Sequence, residues 1–217
     1  MESANKCFLA CAMDVLQKYV ERIAKCPCKD RLVLKGKLVN DQKLCIVLLL
    51  ESPHIFEYSY QRGLNAIVQN GAAKKLFSEN NLDRLKDVFS WINISEWDVR
   101  LVNVIQFQCS CGTSTQLLGK LIKDRIVQEL SSKLSIRKSL ILRVERIAKQ
   151  YSRCYVIDAS GDACGNVIEW FGKDNPALSN VIWGPKVTHP TWWFCPTVFK
   201  WVKRKVEADM RKKLGIG

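Results

Sequence analysis

The chain has only two histidines, and each stands beside a proline: His54 in Glu51-Ser52-Pro53-His54 and His189 in Thr188-His189-Pro190-Thr191. An imidazole can move a proton near neutral pH, and it can stabilise negative charge developing on a departing group. Glu51 adds a carboxylate able to polarise water or stabilise a cation, and Asn103 adds a carboxamide able to read a ligand edge through one donor and one acceptor face. A lone histidine is more often a surface or satisfied core residue. Two in matching contexts, with Glu51 and Asn103 at corresponding strand ends, point to a site.

The element that must position Glu51 is the run Leu44–Leu50, LCIVLLL, apolar throughout and too short for a membrane helix. Such a run suits a strand buried on both faces of a parallel sheet. Pro53 cannot continue a ladder, so the chain leaves the sheet with its polar side chains gathered at the strand's C-terminal end, where open α/β sheets bind ligands. Asp98–Phe107 reads as a second buried strand carrying Asn103. In such a run the carboxamide either satisfies nearby backbone or points into a site. Arg153–Ile157 is a third strand, followed by a turn at Asp158–Asp162 and a helix to Phe171. Val181–Val187 is a fourth, broken at Gly184-Pro185.

Between the strands lie segments with helical periodicity: residues 3–24, Asn65–Phe77, Asp83–Ile92, Thr115–Gln150 with a break near Ser131–Ser135, and Cys195–Leu214. Arg31–Val39 reads as a hairpin or extended cover. Phe56, Tyr58 and Tyr60 alternate, as in an edge strand or as rings set to stack on a planar ligand. The order predicts a three-layer α/β/α sandwich with a central four-stranded, mainly parallel sheet. At 217 residues this is a single domain, residues 1–43 forming an N-terminal helix and cover and residues 44–217 the α/β core.

Lys and Arg number 34 against 21 Asp and Glu, a net charge of +13. A polyanionic partner explains that balance best, a solvated basic surface being the plainer alternative. The basic residues of 115–150, Arg137, Arg143 and Arg146 among them, read mostly as a solvated helix face. No apolar run approaches the roughly 20 residues that cross a bilayer, so the expectation is an unexported cytoplasmic protein without a membrane partner. The ten cysteines are scattered. Cys45, Cys154, Cys164 and Cys195 fall in apolar settings, and Cys26/Cys28 and Cys109/Cys111 are spaced too closely for ordinary zinc sites. Reduced buried thiols are expected, with no metal and no cofactor.

In this arrangement the chain resembles the uracil-DNA glycosylase superfamily. That family places a G-x-[D/N/A]-P motif after its first core strand, a base-reading Asn in the second, and H-P-S after the last. Here LESP, Asn103 in LVNV, and His189-Pro190-Thr191 take those places in order, over about Leu44–Trp193. The stretch Gln69–Leu76 is similar to a Gly- and Ala-containing helix start in the family's iron–sulfur branch, whose cysteine pattern is missing here.

The resemblance implies a glycosylase that flips a base out of double-stranded DNA and cleaves its N-glycosidic bond, acting as a monomer. It makes Glu51, His54, Asn103 and His189 the catalytic candidates. His189 would stabilise the departing base, Asn103 would read it, and Glu51 or His54 would act on water or the sugar cation. Ser52, Pro53, Phe56, Tyr58, Phe107, Pro190, Thr191 and Trp192 become the substrate-binding candidates, with the paired tryptophans Trp192-Trp193 near the DNA strand.

Ser52 stands where the uracil enzymes carry a water-activating Asp, and the family's base-stacking position falls near Ala66 or Ile67. A changed pocket suggests a larger modified pyrimidine such as the glucosylated hydroxymethylcytosine of phage DNA, and hence antiphage defence. The alternatives are uracil excision in repair and a noncatalytic nucleic-acid-binding protein. A different hydrolase using Glu51, His54 and His189 is less favoured, because no carboxylate cluster accompanies the histidines.

Overall fold

A computed structural model describes residues 30–38, 42–51, 86–106, 124, 127–172, 175–188, 193 and 195–215. Within them the sheet has five strands: β1 (Arg31–Leu34), β2 (Leu44–Leu50), β3 (Trp97–Asn103), β4 (Arg153–Ala159) and β5 (Val181–Lys186). They lie in the order β1-β3-β2-β4-β5. The last four named are mutually parallel, in the register Leu50↔Asn103 and Leu50↔Ala159 at the C-terminal ends. β1 runs antiparallel to β3, so the expected cover over Arg31–Val39 contributes a fifth, edge strand.

The apolar runs explain the interior positions. Cys45 to Leu49 of β2 are wholly inaccessible, because alternate residues enter two separate cores. Cys45, Val47 and Leu49 meet Leu140, Val144 and Ile147 of α1 (Leu134–Ala148), whereas Ile46, Leu48 and Leu50 join the core of Phe199, Val202, Val206 and Met210 from α2 (Pro196–Leu214). Helices therefore cover both faces, the arrangement a parallel sheet requires. The helical break expected near Ser131–Ser135 falls at Lys133, between a helical segment at 127–132 and α1.

Tyr155 of β4 ties the second helix to the sheet. Its buried ring donates a hydrogen bond from the hydroxyl to Asp209 Oδ2 at 2.7 Å, and burial followed by the Asp209 carboxylate pushes the phenol well above its usual range. Tyr155→Phe is expected to lower stability by about 1.5–2 kcal/mol in denaturant titration, since a bond to a charged acceptor is lost while the ring still fills its place.

Three local expectations change. The helix anticipated from Asp158–Asp162 to Phe171 is instead a pair of short 3-10 turns, Asp162–Cys164 and Val167–Phe171. Gly161 at φ 84° and Gly165 at φ 69° bracket the first, and a helix cannot pass through that left-handed region. The helix expected at Asp83–Ile92 is helical at 86–88 and turns from 89 onward.

β5 is not interrupted at Gly184-Pro185. It continues with one extra residue, pairing Val156↔Trp183 and then Asp158↔Lys186. A Cβ on Gly184 would lie 2.9 Å from both Tyr155 Cζ and Val156 O, so only glycine lets the strand approach β4 there. Along the outer side of β5, Lys213 Nζ donates to Trp183 O at 2.6 Å and Lys205 Nζ to Lys186 O at 2.8 Å.

Candidate functional site

Read across the sheet from β3 to β5, the parallel strands stand second, first, third and fourth in chain order. The chain fills one side of β2 with β3 and then crosses to the other with β4. The crevice at the C-terminal ends beside β2 is thus the topological switch point, where α/β sheets take ligands. Glu51 is the first residue past β2 at that crevice and is 7% exposed. A Cβ built on Gly161, in the turn after β4, would meet Glu51 Oε2 at 3.6 Å, so the carboxylate reaches over the β4 side of the crevice.

Asn103 ends β3 on the other side of Glu51, also 7% exposed. Its chain keeps beside β2 for two further residues: Val104 N donates to Leu50 O at 2.7 Å and Ile105 N to Glu51 O at 3.0 Å. Arg143 of α1 then fixes the same backbone, donating from Nη2 to Asn103 O at 2.8 Å, while Nη1 bonds Asp30 Oδ1 at 2.5 Å. Arg143 is therefore buried, not part of a solvated helix face. Burial raises the Asp30 carboxyl above the usual 3.8, the adjacent Arg143 guanidinium acting in the opposite sense.

Asp158, near the end of β4, is fully buried and organises the turn that meets Glu51. Oδ1 accepts from Ser160 Oγ at 2.6 Å and Ser160 N at 3.0 Å, and Oδ2 accepts from Val167 N at 3.4 Å. The thiol of Cys164 is pushed up first by burial and then by the negative charges of Glu51 and Asp158, so it stays protonated and is no nucleophile. Lys186 Nζ closes the turn on Gly165 O at 2.6 Å. Asp158→Ala is expected to destabilise by about 2–3 kcal/mol, measured by thermal unfolding, because it strands buried donors at Ser160 and Val167.

Of the candidates read from the sequence, Glu51 and Asn103 are thus brought to one rim, on adjacent strands and one residue apart in register. Ser52, Pro53, His54, Phe56, Tyr58, Phe107, His189, Pro190, Thr191 and Trp192 lie outside the described residues, as do both C-x-C pairs and the helices expected at 3–24 and Asn65–Phe77. Trp193 is fully buried in the α2-side core and donates from Nε1 to Thr188 O at 2.9 Å, so it packs inside the protein. Cys45, Cys154 and Cys164 are free and buried as expected, but Cys195 is exposed, because it caps α2 at the protein surface. Among the described residues no three His, Cys, Asp or Glu side chains gather as a metal site would, and no helix is long and apolar enough to cross a membrane.

Sequence reasoning missed Asp158 and Arg143. The signal for Asp158 is the acid closing the apolar run YVID at a strand end. Arg143 has a weaker one, falling on the apolar stripe of α1 with Leu140, Val144 and Ile147. Compared with known proteins, the chain matches no protein-family model, no curated protein and no solved structure.

Proposed function

We propose that the protein is a DNA glycosylase of the uracil-DNA glycosylase type, acting on a modified pyrimidine such as glucosylated hydroxymethylcytosine. The observation that supports it most is the placement of Glu51 and Asn103 at the C-terminal rim, at the ends of adjacent parallel strands beside the switch point. The strong positive charge of the chain supports a phosphate-bearing substrate.

In this reading the target nucleotide is flipped into the crevice and Asn103 hydrogen-bonds the edge of its base. The bond from C1′ to the base nitrogen breaks, and its electron pair leaves with the base. Glu51 stabilises the sugar cation and takes the proton of the water whose oxygen bonds C1′. His189, in the place the resemblance gives it, stabilises the negative charge on the base. Arg143 acts through Asn103 as a positioning residue, because it holds the carbonyl of the residue that reads the base.

The test incubates the protein with uracil-containing DNA, unmodified DNA and glucosylated hydroxymethylcytosine phage DNA. Abasic sites are detected by alkaline cleavage and released bases by mass. Release of the glucosylated base, lost in Asn103→Ala with DNA binding retained, is the expected result. Strong release of plain uracil alone would move the reading to repair. Tight binding without product would support a DNA-binding protein that keeps the fold without chemistry, the reading that Ser52 in place of the family's Asp favours.

A further inference from the structure

Lys205 reaches the carbonyl of Lys186 at the C-terminal end of β5, and Lys213 reaches that of Trp183 further back along the same strand. α2 therefore runs antiparallel to β5, with its first half towards the C-terminal end of the sheet, where Glu51 and Asn103 stand. Lys200, Lys203 and Arg204 lie in that half, on one side of the helix and outside the buried stripe of Phe199, Val202, Val206 and Met210. None of the three cations has a hydrogen-bonding or ion-pair partner among the described residues.

The acids of α2 are engaged elsewhere. Glu207 pairs with Arg211 at 3.0 Å, and Asp209 pairs with Lys213 at 2.7 Å while accepting from Tyr155. Lysines and arginines near a helix C-terminus are favoured by the macrodipole, which accounts for Arg211, Lys212 and Lys213. The same field does nothing for cations in the first half, and Lys200 and Arg204, four apart, repel one another. A polyanion at the rim removes that cost.

We propose that the first half of α2 is a phosphate-binding surface, and that Lys200, Lys203 and Arg204 hold the backbone of duplex DNA beside the crevice. The proposal rests on the glycosylase reading for its choice of DNA. A membrane fits less well, because an interfacial helix needs a broad exposed apolar face, and Trp201, 41% exposed, is the one large apolar side chain that α2 leaves open.

The test is the affinity of the full chain for unmodified duplexes of unrelated sequence as salt is raised, so no excision is required. Each lost phosphate contact removes about 0.9 from the slope of log affinity against log salt. K200A/K203A/R204A is expected to flatten the slope by about 2.7, making the fall in affinity between 50 and 200 mM salt about 40-fold smaller, equally for every sequence. K200R/K203R, which keeps the charge, should match the wild type, and Lys212→Ala at the far end should leave the slope unchanged.

A triple variant with the wild-type slope overturns the proposal, as does an equal effect per charge from Lys212→Ala. So does a wild type that fails to bind duplex DNA. Loss of binding to phosphatidylserine vesicles with duplex binding intact would reassign the surface to membranes and overturn it too. Circular dichroism checks that these exposed substitutions leave the fold intact. A slope that flattens in a protein yielding no abasic product sinks the glycosylase reading and keeps this surface, whereas excision with an unchanged slope does the reverse.

Discussion

Glu51→Gln is expected to slow base excision by about 10²–10⁴-fold while leaving duplex binding close to wild type. The substitution keeps shape and removes charge. Glu51 is nearly buried, with its carboxylate against the Gly161 turn, so a side chain of the same size should seat there without disturbing β2 or β4. On the proposed mechanism it loses the base that takes the water proton and the negative charge that faces the sugar cation. Single-turnover formation of abasic sites is the measurement. An unchanged rate would remove Glu51 from the chemistry. Parallel losses of rate, affinity and melting temperature would make it a structural residue.

Arg143→Ala should produce the largest loss of stability, about 3–5 kcal/mol, because removing one member of a buried pair leaves the other charge without its partner. Asp30 keeps its carboxylate, and the carbonyls of Asn103 and Val104 lose the guanidinium that spans them. Arg143→Lys should recover only part of this, since an ammonium cannot fork between a carboxylate and a carbonyl.

The pH dependence follows from Asp30. Its folded carboxyl already titrates above the ordinary 3.8 because burial outweighs Arg143, and without Arg143 it must titrate higher still. A carboxyl raised in the folded state binds its proton more tightly there than in the unfolded chain. Its contribution is most favourable below the unfolded value and is lost as pH rises through the folded one. The gap between wild type and variant should therefore widen from acid to neutral pH. Urea titrations at pH 3.5 and 7 decide this, and a gap that narrows at neutral pH would overturn the account.

The sheet was legible because its strands are encoded by continuous apolar runs. LCIVLLL and the run ending at Asp158 occupy two of the three strands with neighbours on both sides, where burial on both faces leaves no room for alternation. β1 was harder to read, since an edge strand of four residues lacks that continuity. The segment after β4 misled because Ala163, Val167 and Trp170 offer helical spacing, whereas the left-handed glycines Gly161 and Gly165 decide the backbone. At the site, Glu51 and Asn103 could be found by asking which polar residues end apolar runs. Arg143 could not, because a guanidinium that crosses from a helix to a strand carbonyl has its reason in a contact 40 residues away.

The two lysine bonds along β5 bear on how the molecule behaves in a crowd. A sheet's last strand offers unpaired backbone groups to any extended chain that drifts past, and that is a route to fibrils and swapped dimers. On β5 the carbonyls of Trp183 and Lys186 are already taken by ammonium groups, and Pro185 has no N–H to give. An approaching strand would find two carbonyls occupied and one N–H missing along a six-residue edge. Substituting Lys205 and Lys213 would reopen that edge, and self-association during storage would be its outward sign.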